Sequence, residues 1–312
     1  MPPLPLLRLP RLVLCEVFKS LSIGEKIKLS FCSKKVSIQI NNAQFYSQKV
    51  IVDLDILNQN IRVHSENNKD TFEIYTYPGS WNSHNSNTHQ YPIAGCSAPV
   101  ITTPTGIKIF WKNYPEGFLS VIQYLLKIFQ CKFSTHIRLY NSDIYQPVIS
   151  ELFHLQLEFK KITISLNGSE QRNLLWSKIA SNLGLVEELR IISVENPHVR
   201  PVVTYWPEKI SVTSFYWFQS LLACTCTRIT LDWLHLDNKD LDEILRKWKA
   251  GGFPNLEHLK IDGQGIKIIG TTILEMHLWE LAGMVIQTDD GSKNGTIRID
   301  TGSIEMSVTS FH

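Results

Sequence analysis

The sequence predicts an α/β protein: an N-terminal helical module, then an irregular strand–helix array that ends in a β-hairpin. Three observations carry this. Residues 9–36, "LPRLVLCEVFKSLSIGEKIKLSFCSKKV", hold closely spaced apolar stripes of helical period. From about residue 108 onward, short strands with apolar residues at alternate positions recur between helical patterns. The chain closes on "TIRIDTGSIEMSVT", two alternating strands around Thr301-Gly302-Ser303.

At the N-terminus Pro10 suits the first turn of a helix, where its missing N–H is not needed. Leu14, Val17, Phe18 and Leu21 then recur on one helical face. "SIGE" offers a capping box, Ser22 capping the next helix while Glu25 reaches back. That second helix is expected to carry Leu29, Cys32, Val36 and Ile40 on one side and Ile27 and Phe31 on another, leaving Lys26, Lys28, Lys34 and Lys35 to solvent. Two helices with this many apolar faces need a third body, either the chain's own domain or a partner.

Residues 47–57, "SQKVIVDLDIL", read as a strand or an extended link. The next stretches, "HSENNKD" and "PGSWNSHNSNTHQYPIAGCSAPVITTPTG", are rich in Asn, Ser, Thr, His, Gly and Pro and lack periodicity. They are expected to form a polar, partly disordered insert. The expected division is a helical module over 1–45, a linker and insert over 46–107, and an array over 108–312. The array opens with a helix in which Phe118, Ile122, Leu125, Leu126 and Phe129 share a face. Strands follow at "HIRLY", "KITIS", "ELRII", "RITLD" and "HLKID". Between the last two, "NKDLDEILRKWKAGG" predicts a helix with Asn238 as N-cap, Leu241, Ile244, Leu245 and Trp248 inward, and Gly251 or Gly252 at its end. Strand spacing of roughly 25 to 40 residues and the cadence of "NLEHLKIDGQGI" suggest a leucine-rich-repeat-like array, each unit burying its apolar face on the next.

Bulk properties narrow the function classes. A chain of 312 residues with 43% hydrophobic residues can bury a sizeable core. A net charge of +2 gives no electrostatic reason to expect nucleic acid or anionic membrane as partner. Nowhere do about eighteen apolar residues run together, so no spanning helix is expected. "MPPLPLLRLPRLVL" fails as a signal peptide, being broken by Pro5 and Pro10 and charged by Arg8 and Arg11. The six cysteines are too few and scattered for a disulfide framework, and Cys15, Cys32 and Cys131 sit in apolar contexts read as helical. A reducing compartment, cytoplasmic or nuclear, is expected, with the sequons at Asn167 and Asn294 unused.

No P-loop, nucleophile elbow, H-E-x-x-H or dinucleotide fingerprint is present. His84, His89 and Cys96 in the insert, and Cys224-Thr225-Cys226, each fall short of four zinc ligands, so neither metal nor cofactor is expected. No cysteine has an activating histidine in view, and a catalytic centre is not expected. "DGSKNGTIRI" resembles the S-x-N-G-T loop of forkhead-associated domains. Those domains are all-β, however, and Asn294-Gly295 reads equally as a hairpin turn. Among the tryptophans, Trp176 and Trp248 have helix-inward spacing and read as core, while Trp111, Trp206, Trp217 and Trp233 are unassigned.

Leu9-Pro10, then Leu14, Phe18, Leu21-Ser22, Leu29, Cys32 and the basic pair Lys34-Lys35 together resemble an F-box. The rest resembles the F-box-associated region of the large nematode F-box families, through "YPEGFLSVIQYLLKIF", "LHLDNKDLDEILRKWKAGGFPNLEHLKI" and "IQTDDGSKNGTIRI". Leu12 stands where the F-box usually has an acidic residue, and Val36 where it has an aromatic one. The resemblance implies a non-enzymatic substrate receptor that docks a Skp-type adaptor, and through it a cullin, and binds a target protein with its C-terminal domain. The implied adaptor contacts are Leu9, Pro10, Leu14, Phe18, Leu21, Ile27 and Leu29. The alternative is a repeat-type interaction scaffold outside any ligase.

Overall fold

The computed structural model describes residues 8–43, 50–82, 88–93, 95–129, 131–138, 142–166, 173–193, 203–213, 218–232, 236–263, 265–267, 271–300 and 303–311. The chain divides into two compact units, Met1–Thr135 and His136–His312.

The first unit begins with three helices, not two: α1 (Arg11–Ser20), α2 (Ile23–Cys32) and α3 (Lys34–Ala43). Pro10 sits just outside α1, as its N-cap residue. The Ser22–Glu25 capping box forms as the spacing predicts. The expected second helix is interrupted at Ser33, which adopts an extended conformation. The Ser33 hydroxyl then accepts the Lys35 N–H at 3.2 Å and starts a new helix.

The described residues between 50 and 111 form a sheet rather than a polar insert. Its strands are β1 (Val50–Asp55), β2 (Asn60–Ser65), β3 (Thr71–Pro78), β4 (His89–Ile93), β5 (Cys96–Thr102) and β6 (Gly106–Trp111). Helix α4 (Tyr114–Ile128) follows, and β7 (Cys131–Arg138) lies beside β1 in parallel, making Cys131 a strand residue rather than a helical one. The order in this unit is β7-β1-β2-β3-β6-β5-β4. Alternate residues Val52 and Leu54, Ile61 and Val63, Phe72 and Ile74, and Ile107 and Ile109 are buried. The sheet therefore has a real core face, hidden in sequence by the polar residues of its other face and turns. The expected boundaries after residues 45 and 107 give way to one unit that reaches Thr135.

The second unit alternates helix and strand: α5 (Ser142–His154), β8 (Phe159–Leu166), α6 (Asn173–Ala180), β9 (Val186–Ser193), β10 (Lys209–Val212), α7 (Phe218–Leu221), β11 (Arg228–Asp232), α8 (Asn238–Lys249) and β12 (His258–Asp262). Strands β8 to β12 pair in parallel, each with the next. Helix α9 (Leu278–Leu281), β13 (Val285–Gln287), β14 (Lys293–Asp300) and β15 (Ser303–Ser310) close the unit, with β15 antiparallel to both β12 and β14. The β14–β15 hairpin is as expected, although its tip, Thr301-Gly302, lies outside the described residues. So do Trp217, Trp233, His84 and Asn167.

Helix α8 shows how closely local sequence dictates local structure. Its N-cap is Asp237, not Asn238: the carboxylate accepts the N–H groups of Lys239 (2.8 Å) and Asp240 (3.1 Å). Asn238 instead donates to the carbonyls of Lys267 and Thr271, tying down the loop beyond β12. At the other end Gly252 N–H bonds Lys247 O and Gly251 N–H bonds Trp248 O, a Schellman closure with Gly251 at φ +83°. Leu241, Ile244, Leu245 and Trp248 are buried as expected. Gly295 lies inside β14 and is not a turn residue. A Cβ there would fall 2.8 Å from Met306 Sδ and 3.0 Å from the Trp248 ring.

Candidate functional site

The N-terminal helices have a core of their own. Leu14 and Phe18 from α1, Ile23, Ile27 and Phe31 from α2, and Val36, Ile40 and Ala43 from α3 are all buried. Periodicity supplies these stripes, and α3, packing against both α1 and α2, supplies the third body that two helices lacked.

The module is also fastened to the rest of its unit. Asp70, at the end of the turn that leads into β3, accepts the Ile23 N–H at 2.7 Å and so caps α2 from outside. Lys28 Nζ lies 5.6 Å from the Phe72 ring centre. The Phe31 ring stacks on Tyr124 of α4 at 5.3 Å and meets Tyr91 of β4 at 5.5 Å. The Tyr124 hydroxyl donates to Ser30 Oγ at 2.8 Å, and the Ser30 hydroxyl in turn donates to Ile27 O at 2.6 Å. Burial pushes the Tyr124 phenol up to about 12, against the pull of that hydrogen bond. Asn41 of α3 donates to Lys127 O at 2.7 Å. Hydrogen bonds from the Ser22 backbone and hydroxyl hold the Glu25 carboxyl below its usual range, keeping the α2 cap charged.

What remains apolar and outward is different from what the stripes suggest. Leu14 is 5% exposed, Phe18 1% and Ile27 0%. These three expected contact residues face the module's own interior, because an amphipathic stripe first satisfies the fold that carries it. Leu9, Leu21 and Leu29 are half-buried, and Pro10 is exposed. The outward aliphatic side chains are Leu12 (82% exposed), Val13 (45%) and, on α3, Ile38 (58%). The signal for them was present: Leu12 lies opposite Leu14 and Phe18 around α1, an apolar residue off the apolar stripe. The basic pair Lys34-Lys35 is exposed beside them in sequence.

No three metal-ligating side chains gather among the described residues. Burial pushes the Cys131 thiol up to about 12, and a hydrogen bond to Cys224 together with burial keeps the proton on Cys226. Among the described residues no helix is long and apolar enough to cross a membrane.

Residues 6–48, which span all three helices, match the F-box domain family model, and residues 208–261 match that of the F-box associated family. The second match runs from the start of β10 through α7, β11 and α8 into β12. The chain thus carries an N-terminal segment similar to F-box domains and, in its C-terminal unit, a segment similar to the F-box associated family. No curated protein and no solved structure matches it.

Proposed function

We propose that the chain is the substrate-recognition subunit of a Skp–cullin–F-box ubiquitin ligase. It docks a Skp-type adaptor through α1–α3 and holds a target protein on its C-terminal unit. It performs no chemistry itself, and raises the effective concentration of target lysines near the loaded ubiquitin carrier. Its place of action is the cytoplasm, the nucleus or both. The observation that carries the reading is the F-box match falling on a module that leaves Leu12, Val13 and Ile38 outside. Apolar anchors of this kind supply most of the energy of an interface. Half-buried Leu9, Leu21 and Leu29, with exposed Pro10, extend the contact. Leu14, Phe18 and Ile27 serve it from beneath, by shaping the helices.

The test is co-purification of the Skp adaptor with the full chain. Leu12→Asp combined with Ile38→Asp is expected to abolish capture without changing the melting temperature, because both side chains are outside the core. Capture at the wild-type level by this double variant refutes the docking surface. A wild-type chain that captures no adaptor leaves the interaction scaffold as the reading.

A further inference from the structure

The parallel strands of the C-terminal unit present two unlike faces. One carries Ile162, Leu189, Ile210, Ile229 and Leu259, all buried; Leu221 of α7 and Ile244 of α8 line the same apolar space as Ile229 and Leu259. The residues between them point the other way and remain partly exposed. In register, one row of that open face runs Thr163, Arg190, Ser211, Thr230, Lys260, Glu305, Arg298 across β8, β9, β10, β11, β12, β15 and β14. A second row, nearer the C-terminal ends of the parallel strands, pairs Asp232 with Asp262 and continues through Ser303 to Asp300. A third, nearer their N-terminal ends, runs Lys161, Glu188, Lys209, Arg228. The face is polarised, basic along its middle and acidic along one margin.

Arg190 is the group this arrangement leaves unfinished. Its Nε is buried and has no hydrogen-bond partner, and its guanidinium makes no ion pair among the described residues. Lys161 is satisfied by Glu188 at 2.5 Å. Lys260 lies 3.4 Å from Asp262 and 3.8 Å from Glu305, both longer than a charge-assisted hydrogen bond, so its ammonium keeps donors for an incoming carboxylate. Arg190 as a whole is only half-buried, so the rest of its guanidinium is open to an acceptor, and the one that suits its fork is a carboxylate held by two parallel bonds. Beside Arg190 the row drops to the short hydroxyl side chains of Ser211 and Thr230, a floor on which a chain can lie, before it rises again at Lys260.

Strands about 4.8 Å apart put Arg190 and Lys260, three strands from one another, about 14 Å apart. An extended chain rises about 3.4 Å per residue, so side chains about four residues apart reach both and point the same way. We propose that this open face holds an extended acidic segment of the target protein, with one carboxylate on Arg190 and a second, about four residues on, at Lys260. Asp232, Asp262 and Asp300 repel further acidic residues along the other margin and fix the direction in which the segment lies. The inference rests on the target-receptor reading and adds to it the chemistry of the target.

The test selects peptides on the immobilised full chain from a random library of about twelve residues per peptide, long enough to span the row, with a parallel library carrying phosphoserine. The unphosphorylated library is expected to yield Asp or Glu pairs about four residues apart, bound more weakly as salt rises. Arg190→Gln is expected to weaken the selected peptides at least about tenfold, and Arg190→Glu to select basic peptides instead. Should either variant lower the melting temperature, Thr230→Glu on the same floor decides the matter by abolishing acidic selection. No acidic enrichment, equal enrichment with Arg190→Gln, or selection from the phosphorylated library alone each overturns the proposal. Adaptor capture is measured on the same variants. Acidic selection without adaptor capture removes the ligase reading and leaves the acidic-segment site standing; capture without selection does the reverse.

Discussion

The hydroxyl pair that joins α2 to α4 allows a quantitative test of whether the F-box helices share one cooperative core with the sheet behind them. Tyr124 donates to Ser30 Oγ, and Ser30 donates to Ile27 O. Both residues are buried. Tyr124→Phe removes one donor, and Ser30 keeps its bond to Ile27, so no buried donor is orphaned. The cost is that of one neutral hydrogen bond, about 1 kcal/mol. Ser30→Ala is the harsher change, since it strands the Tyr124 hydroxyl in a buried site with no acceptor, at about 1–3 kcal/mol. Making both changes removes the polar pair altogether and is expected to cost well under the sum, about 1 kcal/mol. Hydrogen–deuterium exchange of the α2 and α4 amides, resolved by peptide mass spectrometry, reads this locally. Exchange is expected to quicken about fivefold for Tyr124→Phe and about fivefold to 150-fold for Ser30→Ala. Strictly additive effects refute the coupling. So does a change confined to α4 with α2 unmoved, because the helices then do not open together.

Two further predictions bear on the C-terminal unit. Gly295→Ala drives a methyl between Met306 and the Trp248 ring and is expected to destabilise the fold by about 1–3 kcal/mol in a urea titration. Gly184→Ala, with nothing near its Cβ, is the control and is expected to be neutral or mildly stabilising. Glu187 is partly desolvated, which disfavours its charge, but hydrogen bonds from Lys160 and Lys209 prevail and hold its carboxyl at about 2, below the 4.5 of an unperturbed glutamate. Its stabilising contribution is therefore complete above pH 4.5 and is lost as the pH falls from there towards about 2. Glu187→Gln is expected to cost about 1–2 kcal/mol at neutral pH, after screening by solvent, and to flatten the acid limb of the stability profile. An unchanged acid limb refutes the assignment.

The elements legible in the sequence are those whose signals are short-range. The Ser22–Glu25 box, the glycines that end α8 and the period-two apolar residues of β8, β9, β11 and β12 depend on neighbours within a turn or a strand, and each forms where it is expected. Three features escape because their causes are distant or silent. The break at Ser33 is marked by neither glycine nor proline, and only its hydroxyl signals a new start. Strands β1–β6 present polar side chains on the face away from the core, so the Asn- and Ser-rich stretch reads as insert although Ile93, Ala98 and Val100 are buried within it. Gly295 is required by Trp248, some fifty residues earlier, and no local pattern distinguishes that from a turn. The N-terminal stripe shows the same limit. Periodicity finds the stripe through Leu14 and Phe18, but does not say whether the stripe serves the fold or a partner, and here it serves the fold.

The cap that Asp70 places on α2 has a mechanical consequence. Together with the Phe31–Tyr124 stack and the Asn41–Lys127 bond, it leaves the three helices no swivel relative to the sheet β1–β6. Anything that grips α1 from outside thereby also aims that sheet, so in the first unit docking is a matter of orientation as much as of tethering. A substitution at Asp70 is thus expected to loosen the helices against the sheet and to blur the direction in which the unit points.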